Sequence, residues 1–396
     1  MNQPQWRKNQ IAVTISGSFL AFGYTLVMPF LPMYVRQLGI ESTGGIAFWS
    51  GMILSASPLM ASLVGPLWGH IGDRKGMKLI ATRATAVNSV CWLLMAFSGN
   101  VWQLFLLRAL LGLLGGFNNV AIAVITQGSP KEKVPSIIGT LQSVQILSAA
   151  IGPLVGGILA TSIGIRKTFL VTGLVNFGSF LSIALLYADQ RDSKPQDVPA
   201  DDEASSRSTA GFWKRPEYFT TVLVLFFVNM ADRTFGPIIP LFLEELGTPR
   251  VRLEMVSGIV ISAAAFGEAF SAWMSGRLAM RVTLRRLIIA RLLLSVVVLV
   301  PMVLVRSTTE FSMLRIALAL LAGGTLTLAL STAHHVIPGQ HRGTGFAMLS
   351  GTSMLGGAAG PIISGTLAGL SIRSIFIFNS VVYLLMTGFV YRNVKH

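Results

Sequence analysis

Charged side chains are scarce in this sequence of 396 residues, since only 12% are Asp, Glu, Lys or Arg. Soluble proteins carry about twice that share. Apolar residues instead make up 52% of the chain. Length alone would predict two or three soluble domains, but this composition excludes a soluble globular protein. Cysteine is almost absent as well: Cys91 is the single one, so no intrachain disulfide can form.

Sequence motifs of several enzyme classes are also missing. The chain contains no HExxH, GxSxG or GxxxxGK(S/T) pattern, so the chemistry of zinc proteases, esterases and nucleotide-driven machines lacks its residues. His334 and His335 are adjacent and cannot share one helix face, as two ligands of one metal would. An enzyme, a bound metal and a cofactor are therefore not expected. A sensor is also disfavoured, because the termini and the central linker offer no output domain.

Long apolar runs occupy most of the chain. A helix that crosses the hydrocarbon layer needs about 20 mostly apolar residues, and runs of this length recur throughout the sequence. The first run is too long for the apolar part of a signal peptide, so we expect it to remain as a helix. Twelve spans are predicted, at residues 11–35, 46–69, 78–98, 101–125, 135–162, 167–188, 218–243, 253–276, 284–305, 310–333, 343–370 and 373–392.

Lysine and arginine are unevenly distributed among the connections. With the N-terminus in the cytoplasm, the cytoplasmic segments contain 19 of the 31 basic residues and the outer loops contain 7. The remaining 5 lie within predicted spans. Because basic residues favour the cytoplasmic side, both termini are predicted to be cytoplasmic. The net charge of +15 is then explained by anchoring against anionic lipid, so membrane lipid and not nucleic acid is the predicted partner.

The sequence repeats itself with an offset of 207 or 208 residues. The matched residues are prolines, glycines and arginines: Pro29, Pro32, Gly69, Arg108, Gly152 and Pro153 match Pro237, Pro240, Gly276, Arg315, Gly360 and Pro361. Each copy contains six spans, so both copies cross the membrane with the same orientation, an architecture typical of secondary transporters. We predict an N-terminal half at 1–188 and a C-terminal half at 216–396.

The segment between the two halves, 189–215, is polar and contains 6 of the 16 acidic residues. It has too few apolar residues to fold by itself. A flexible cytoplasmic linker is therefore predicted, in preference to a regulatory domain.

Four motifs are distributed along the chain. A loop of sequence GHIGDRKGMK, at 69–78, joins the second and third spans. The fourth span contains RALLG from Arg108, and the fifth contains SAAIGPLVGG at 148–157. The first span contains a glycine and two prolines in the sequence GYTLVMPFLP at 23–32.

With these motifs, the chain resembles the major facilitator superfamily over essentially its whole length, and within it the bacterial proton-coupled drug antiporters. The resemblance implies an all-α membrane protein with twelve transmembrane helices in two six-helix repeats. It also implies a small-molecule substrate, with a proton as the coupling ion and no other cofactor. A monomer in the bacterial cytoplasmic membrane is expected.

The resemblance assigns the loop motif to a latch between the two halves, formed by Gly69, Asp73, Arg74, Gly76 and Lys78. A small residue at 69 allows helices to approach closely, and the acid at 73 suits the N-terminus of a helix. Met77 stands where the family has a basic residue, so one contact of the latch is not expected here. Plain anchoring by loop charges is the alternative. It is the favoured interpretation of the second copy, at 276–281, which has lost the acid.

In the fifth span, the resemblance implies an antiporter motif at Gly152, Pro153, Gly156 and Gly157. Ser148 replaces the first glycine of that motif. In the superfamily the motif accompanies export and not symport, whereas generic close packing of helices is the alternative. The proline pair of the first span is interpreted as a determinant of helix shape, because it bends a helix and recurs in the second half.

Two acidic residues lie deep in predicted spans. Asp232 and Glu268 are each about 14 residues from the start of their span, about 21 Å along a helix, and so near the middle of the bilayer. An ionisable residue there is a functional hypothesis by default. Both are predicted to bind the coupling proton, and the resemblance adds Arg108. The alternatives are an ion pair with an arginine of a neighbouring helix for Asp232, a structural role for Glu268, and a hydrogen-bonding hub for Arg108.

The family lines its central cavity with spans 1, 4, 7 and 10. The predicted cavity therefore includes aromatic and polar side chains of these spans and of span 5: Tyr24, Phe117, Asn118, Asn119, Gln142, Gln145, Asn229, Phe235 and Thr325. Aromatic walls with few polar groups suit bulky amphipathic compounds. For any single aromatic residue, packing against lipid or a helix is the alternative.

The sequence thus predicts a secondary active transporter that exports small amphipathic compounds or drugs in exchange for protons. The alternative is a proton symporter that imports a sugar, an amino acid or an organic acid. The motif of the fifth span argues against this alternative.

Overall fold

The computed structural model describes residues 4–117, 121–122, 124–125, 129–130, 133–188, 216–326, 328–329, 337 and 342–394. At 66, 69, 73, 135 and 342–347 the description is limited to the backbone. The predicted linker at 189–215 lies outside the described residues.

Helices make up nearly all of the described chain, and no strand occurs in it. The helices of the first half are α1 (Gln5–Val27), α2 (Leu31–Gln37), α3 (Thr43–Lys75), α4 (Met77–Ala96), α5 (Val101–Leu114), α6 (Val134–Ile163) and α7 (Ile165–Leu186). Those of the second half are α8 (Pro216–Arg233), α9 (Phe235–Glu245), α10 (Arg250–Leu278), α11 (Leu284–Met302), α12 (Thr308–Ala322), α13 (Arg342–Leu367) and α14 (Arg373–Asn393). Each predicted span contains one or two of them, so the all-α prediction is confirmed.

Within the described ranges, 8 helical segments are long and apolar enough to cross a membrane. They are Gln5–Gln37, Thr43–Gly65, Met77–Ala96, Ser136–Ile163, Ile165–Leu186, Pro216–Glu245, Arg250–Leu278 and Arg373–Asn393. Among the other predicted spans, α11 has Arg285 and Arg286 in its first turn and also includes Arg291. The fourth and tenth spans are shortened by breaks. The chain is a multi-pass membrane protein.

The first span of each half is broken at an equivalent position. In the first half, a 3-10 turn at Met28–Phe30 separates α1 from α2 and contains Pro29. In the second half, α8 ends and α9 begins around Thr234, with Pro237 in the first turn of α9. Proline lacks the N–H that would continue the helical hydrogen bonds. The predicted effect of the proline pairs on helix shape is therefore seen in both halves.

The fourth span of each half is also broken, and here the structure departs from the continuous spans predicted at 101–125 and 310–333. α5 ends before the glycine pair at 115–116, and α12 ends before the pair at 323–324. Two consecutive glycines weaken a helix because glycine loses the most conformational freedom on folding. Gly116 has φ +86°, which residues with a side chain rarely adopt.

Packing divides the chain into two compact units. Unit 1 consists of Met1–Ser42, Met52–Gln196 and Pro249–Ser262, and unit 2 of Thr43–Gly51, Asp197–Thr248 and Ala263–His396. Each unit is mainly one half of the sequence together with a short helical segment of the other. The segment from the other half is the start of α10 in unit 1 and the start of α3 in unit 2. The boundaries of the halves at 188 and 216 stay a prediction.

An aromatic contact occupies equivalent positions in the two units. In unit 1 the ring centroids of Tyr34 and Phe169 lie 4.7 Å apart, and the tyrosine hydroxyl donates to the carbonyl of Met95 at 2.8 Å. In unit 2 the centroids of Phe242 and Phe376 lie 5.2 Å apart. The second pair follows the first by 208 and 207 residues, so the sequence repeat corresponds to repeated packing.

Candidate functional site

One guanidinium group lies between two carboxylates in unit 2. Nη2 of Arg315, on α12, donates to Oε1 of Glu268, on α10, at 3.0 Å. The same nitrogen lies 3.9 Å from Oδ1 of Asp232, on α8. The arginine side chain is 8% exposed, whereas those of Asp232 and Glu268 are 37% and 33% exposed. The cation is therefore buried behind two acids that remain accessible.

We call Asp232, Glu268 and Arg315 the carboxylate cluster. Further charged and aromatic groups surround it. The ring centroid of Phe235 lies 4.7 Å from Cζ of Arg315. Tyr383 of α14 is buried and interacts electrostatically with all three ionic groups. Arg233, exposed on α8, also interacts electrostatically with Glu268. Asp232, Glu268 and Arg315 taken alone carry one excess negative charge when both acids are ionised, so one proton neutralises these three groups, and Arg233 adds a second, exposed cation beside Glu268.

The sequence predicts both carboxylates but does not identify their cation. Asp232 and Glu268 are expected as separate deep acids, and the structure brings them together around Arg315. The repeat contains a signal for this residue, because Arg315 matches Arg108 and also lies in an apolar span. The pairing of Asp232 with an arginine of a neighbouring helix agrees with the alternative that the sequence left open.

Arg108 lies in unit 1 and is 1% exposed. Its Nε donates to the carbonyl of Ile53 at 3.3 Å, and its Cζ lies 5.5 Å and 5.6 Å from the ring centroids of Tyr24 and Trp92. In the part of the chain that the structure describes, it forms no ion pair. Carbonyl and aromatic partners suit the structural alternative, and a role for Arg108 in proton coupling stays a prediction.

The two predicted cavity aromatics of unit 1 have different surroundings. Tyr24 packs edge-to-face on Trp92, with centroids 6.5 Å apart, and its ring faces Arg108. Phe117 is 4% exposed and belongs to the apolar core of the unit. The burial of Phe117 agrees with the packing alternative, whereas Tyr24 lies beside a charged group.

The predicted amides of unit 1 are only partly described. Gln142 of α6 is exposed. Gln145 is half-buried and covers Gly17 of α1, where a Cβ would lie 2.6 Å from its amide nitrogen. Asn118 and Asn119 lie outside the described residues. A polar wall formed by these four residues stays a prediction.

In unit 2, one predicted cavity residue contacts the carboxylate cluster. Phe235 is 3% exposed and stacks on Phe376, with centroids 6.1 Å apart, beside Arg315. Asn229 of α8 donates to Oγ of Ser353 on α13 at 2.7 Å. Thr325 is buried after the break in α12. The burial of Phe235 agrees with the packing alternative, as it does for Phe117, and its ring packs beside the ionic groups.

The loop motif at 69–78 covers the end of α3 and the start of α4. Gly76 has φ +95°, a conformation that residues with a side chain rarely adopt, which explains the glycine at this position. Arg74 is exposed and Lys78 is half-buried. Gly69 and Asp73 are described only through their backbone, so the latch stays a prediction.

The glycines of the fifth-span motif allow α6 to pack closely on α1. A Cβ at Gly156 would collide with the backbone carbonyl of Leu26. One turn earlier, a Cβ at Gly152 would collide with the side chain of Thr25. These two glycines are therefore required by the packing within unit 1.

The same motif contacts the start of α10, which also belongs to unit 1. A Cβ at Gly157 would lie 2.7 Å from the carbonyl oxygen of Glu254. The carbonyl of Pro153 would collide with a Cβ at Gly258. Both contacts place one backbone directly on another, which only glycine permits.

Unit 2 contains the equivalent contact between α13 and the start of α3. A Cβ at Gly365 would lie 2.7 Å from the carbonyl oxygen of Ala47, and one at Gly51 would collide with the carbonyl of Pro361. Close packing is therefore shared by both copies of the motif. The association of the first copy with export rests on the family resemblance alone.

Comparison with known sequences finds one family and several relatives. The sequence profile of the Major Facilitator Superfamily matches residues 13–310 and 221–396. The chain is 32% identical over 391 residues to the Multidrug resistance protein MdtG of Rahnella sp. (strain Y9602). The alignment covers 98% of this chain and 93% of that protein. The chain is also 32% identical over 385 residues to the protein of the same name from Enterobacter lignolyticus (strain SCF1), with 96% and 90% covered.

Solved structures of similar fold include a bacterial homolog to the human lysosomal transporter Spinster. Its inward-facing and occupied conformation matches with a TM-score of 0.80 and 14% identity, over 99% of this chain and 97% of that one. Its inward-facing and unoccupied conformation matches with a TM-score of 0.78 and 16% identity over the same shares. At this identity the similarity concerns the fold alone, and it confirms the expected fold.

Replacing Gly156 by alanine should destabilise the protein, because the added methyl group would meet the backbone of α1. Overpacking of this kind costs about 1–3 kcal/mol. Gly139→Ala is a matched control on the same helix, since a Cβ at Gly139 has nothing within 4 Å. Thermal unfolding in detergent measures both variants. A Gly156→Ala midpoint equal to or above that of the wild type would contradict the packing described for α6.

Replacing Arg315 by methionine should destabilise unit 2, because Asp232 and Glu268 would then repel each other without a cation between them. Removal of one partner from a fully buried pair costs about 3–5 kcal/mol, and partial exposure of the acids reduces this to about 1–3 kcal/mol. The loss should be greater at alkaline than at acidic pH, since protonated acids need no counter-ion.

Thermal unfolding across the pH range measures this effect. Adding Glu268→Gln to Arg315→Met should recover most of the lost stability at alkaline pH, because one of the two repelling charges is removed. Equal loss of stability at acidic and alkaline pH would contradict an electrostatic role for Arg315.

Proposed function

This chain belongs to the major facilitator superfamily, and we propose that it exports small amphipathic compounds, drugs among them, in exchange for protons. The observation that carries this proposal is the 32% identity, over 98% of the chain, to a relative named Multidrug resistance protein MdtG. The fifth-span motif agrees with it by resemblance, because in the superfamily that motif accompanies export. Import by proton symport has no comparable support.

The carboxylate cluster supports proton coupling. Arg315 contacts Glu268 at 3.0 Å and Asp232 at 3.9 Å, so it stabilises the ionised form of one acid better than the other. With both acids ionised, the two carboxylates and the buried guanidinium group of Arg315 together carry one excess negative charge. Binding of one proton removes that excess, and release restores it. The proposed coupling site is therefore this pair of acids together with Arg315.

Exchange of the proton changes the forces between three helices. Asp232, Glu268 and Arg315 belong to α8, α10 and α12. When both acids are ionised they attract α12 through Arg315, and protonation of either one weakens that attraction. A ligand or proton can bias a conformational equilibrium only through such a difference between two states. The cluster supplies that difference at a defined place.

The neighbouring side chains suit an amphipathic substrate. Phe235 contacts Arg315, and Tyr24 lies beside Arg108 in unit 1. Aromatic faces next to isolated charges can bind compounds that combine an apolar body with a polar group. We propose that Tyr24, which is half-buried beside Arg108, contacts the substrate.

No enzymatic activity is proposed for this chain, and the proton is proposed as its sole coupling agent. In the described part of the chain, no group of three His, Cys, Asp or Glu side chains could hold a metal ion. We further propose a monomer in the bacterial cytoplasmic membrane, with small-molecule substrate and lipid as its partners.

Transport in proteoliposomes tests the coupling site. A pH gradient should drive substrate out against the proton flow in the wild type, and Asp232→Asn and Glu268→Gln should each lower this gradient-driven transport by about tenfold or more. Transport down a substrate gradient should be less affected, because it needs no proton exchange. Glu217→Gln on α8 and Glu310→Gln on α12 are matched controls near the helix ends.

Two results would contradict the proposal in different ways. Wild-type coupling in both Asp232→Asn and Glu268→Gln would remove these acids from the mechanism. Substrate movement in the same direction as the proton flow would contradict export and indicate import by symport. A susceptibility panel in a strain without its own efflux pumps then identifies the exported compounds.

Cysteine labelling tests the proposed orientation of the chain. Cys91 is buried and is first replaced by serine. In this background, Met280→Cys should react only with a membrane-permeant reagent, since residue 280 is predicted to be cytoplasmic. Leu370→Cys should react with an impermeant reagent added to whole cells. These native residues are 80% and 85% exposed, so access differs by side alone, and the opposite labelling pattern would invert the topology.

A further inference from the structure

The break in α12 leaves carbonyl groups that the helix itself cannot satisfy. The helix ends at Ala322, which is followed by Gly323 and Gly324. The last carbonyls of a helix have no N–H partner within it, and an apolar environment supplies no water to replace one. The broken end lies one to two turns beyond Arg315, so its stability bears on the carboxylate cluster.

Arg291 of α11 binds to this broken end. Its Nη1 donates to the carbonyl of Leu321 at 2.9 Å and to Oγ of Ser271 at 2.7 Å, and its Nη2 donates to the carbonyl of Ser271 at 3.4 Å. Oγ of Ser271 donates in turn to the carbonyl of Leu320 at 2.6 Å. We call these four residues the Arg291 clamp. It joins α10, α11 and the end of α12 through the guanidinium group of Arg291, a residue that is 9% exposed.

The Arg291 clamp is adjacent to the carboxylate cluster. Ser271 follows Glu268 by three residues, about 4.5 Å along α10. Just beyond the clamped carbonyls, the backbone at Gly323 packs so closely on α10 that a Cβ would lie 2.6 Å from Cα of Glu268. The clamp therefore lies beside the close contact of α12 with α10 and about one turn from Glu268.

Unit 1 contains an equivalent arginine at the break of its own fourth span. Arg83 precedes Arg291 by 208 residues. Its Nη2 donates to the carbonyl of Gly115, where α5 ends, at 3.2 Å, and its Cζ lies 3.2 Å from the ring centroid of Trp68. Nε1 of Trp68 donates to the carbonyl of Leu113 at 2.7 Å. Among the described side chains Arg83 forms no ion pair, so it supplies a control away from Asp232 and Glu268.

We propose that Arg291 is a positioning residue for proton coupling: it holds the end of α12 against α10, so that Arg315 responds to the charge of Glu268. The proposal rests on the proposed proton exchange at Asp232 and Glu268. Without the clamp, the end of α12 can move away from α10 whether or not the ion pair is formed. The protonation state of Glu268 then no longer determines the position of α12, and proton flow separates from substrate flow.

Three variants in proteoliposomes test this role against that of a plain helix cap. Arg291→Met should lower the proton flux per transported substrate by about tenfold or more, because each of the three hydrogen bonds that it removes is worth about that factor. Arg291→Lys keeps a cation and one donor, and it should recover part of the coupling. Arg83→Met removes the equivalent cap in unit 1 and should leave the flux ratio unchanged.

The pH profile of transport separates positioning from stabilisation. Among the described residues, the charged and titratable groups that interact with Glu268 are Asp232, Arg233, Arg315 and Tyr383, and all of them remain in these variants. A shift of the pH midpoint in Arg291→Met, partly reversed in Arg291→Lys, therefore reports a changed geometry around Glu268. An unchanged flux ratio and pH profile in folded Arg291→Met would overturn the proposal, and so would equal changes in Arg83→Met.

Hydrogen–deuterium exchange in detergent tests the clamp without transport. Amides of residues 318–326 should exchange faster in Arg291→Met, and those of residues 111–117 only in Arg83→Met. Faster exchange with normal coupling would overturn the positioning role alone. Absence of substrate-driven proton flux in the wild type would instead overturn the proposed function, and the positioning role with it.

Discussion

The burial of arginine in an apolar environment is the constraint on which the rest of this structure depends. A guanidinium group there needs an acid, a carbonyl or an aromatic ring as its partner. The repeat places one such group in the fourth span of each half, Arg108 and Arg315. In unit 1 its partners are a carbonyl and two rings, whereas in unit 2 they are Glu268 and Asp232. Carbonyls and rings attract a cation through their dipoles and carry no formal charge to lose, whereas ionised acids lose their charge on protonation. The partners of Arg108 are therefore uncharged groups, whereas those of Arg315 are acids that a proton can neutralise.

The interrupted fourth spans follow from the same constraint. A break in a helix exposes carbonyl groups, and the apolar surroundings cannot hydrogen-bond to them. Arginines of the third and ninth spans, Arg83 and Arg291, supply the donors, so each buried cation finds acceptors and each broken helix end finds donors. The free carbonyls at each break thus accept hydrogen bonds from the buried arginine next to it. In unit 2 the Arg291 clamp lies about one turn from Glu268, so the capped helix end and the carboxylate cluster are neighbours.

Much of the fold could be predicted from the sequence, because hydrocarbon permits few backbone arrangements. Apolar runs and the offset of 207 or 208 residues predict two helical halves, and the proline pairs predict a bend in the first span of each half. Asp232 and Glu268 could be predicted because acids are rare in apolar spans. Their common cation, Arg315, depends on how three helices pack, which spacing along one chain does not reveal. The roles of Arg83 and Arg291 depend on which carbonyls a break leaves free, and that is known only once the helix ends are located.

The central claim is that Asp232 and Glu268 share one exchangeable proton beside Arg315. Infrared difference spectra of the purified protein in lipid, recorded across neutral pH, test this most directly, because exposed carboxylates remain ionised there. A protonated carboxyl band should titrate in the wild type and disappear in the Asp232→Asn, Glu268→Gln double variant. A band that persists unchanged in the double variant would contradict the assignment of the proton to this pair.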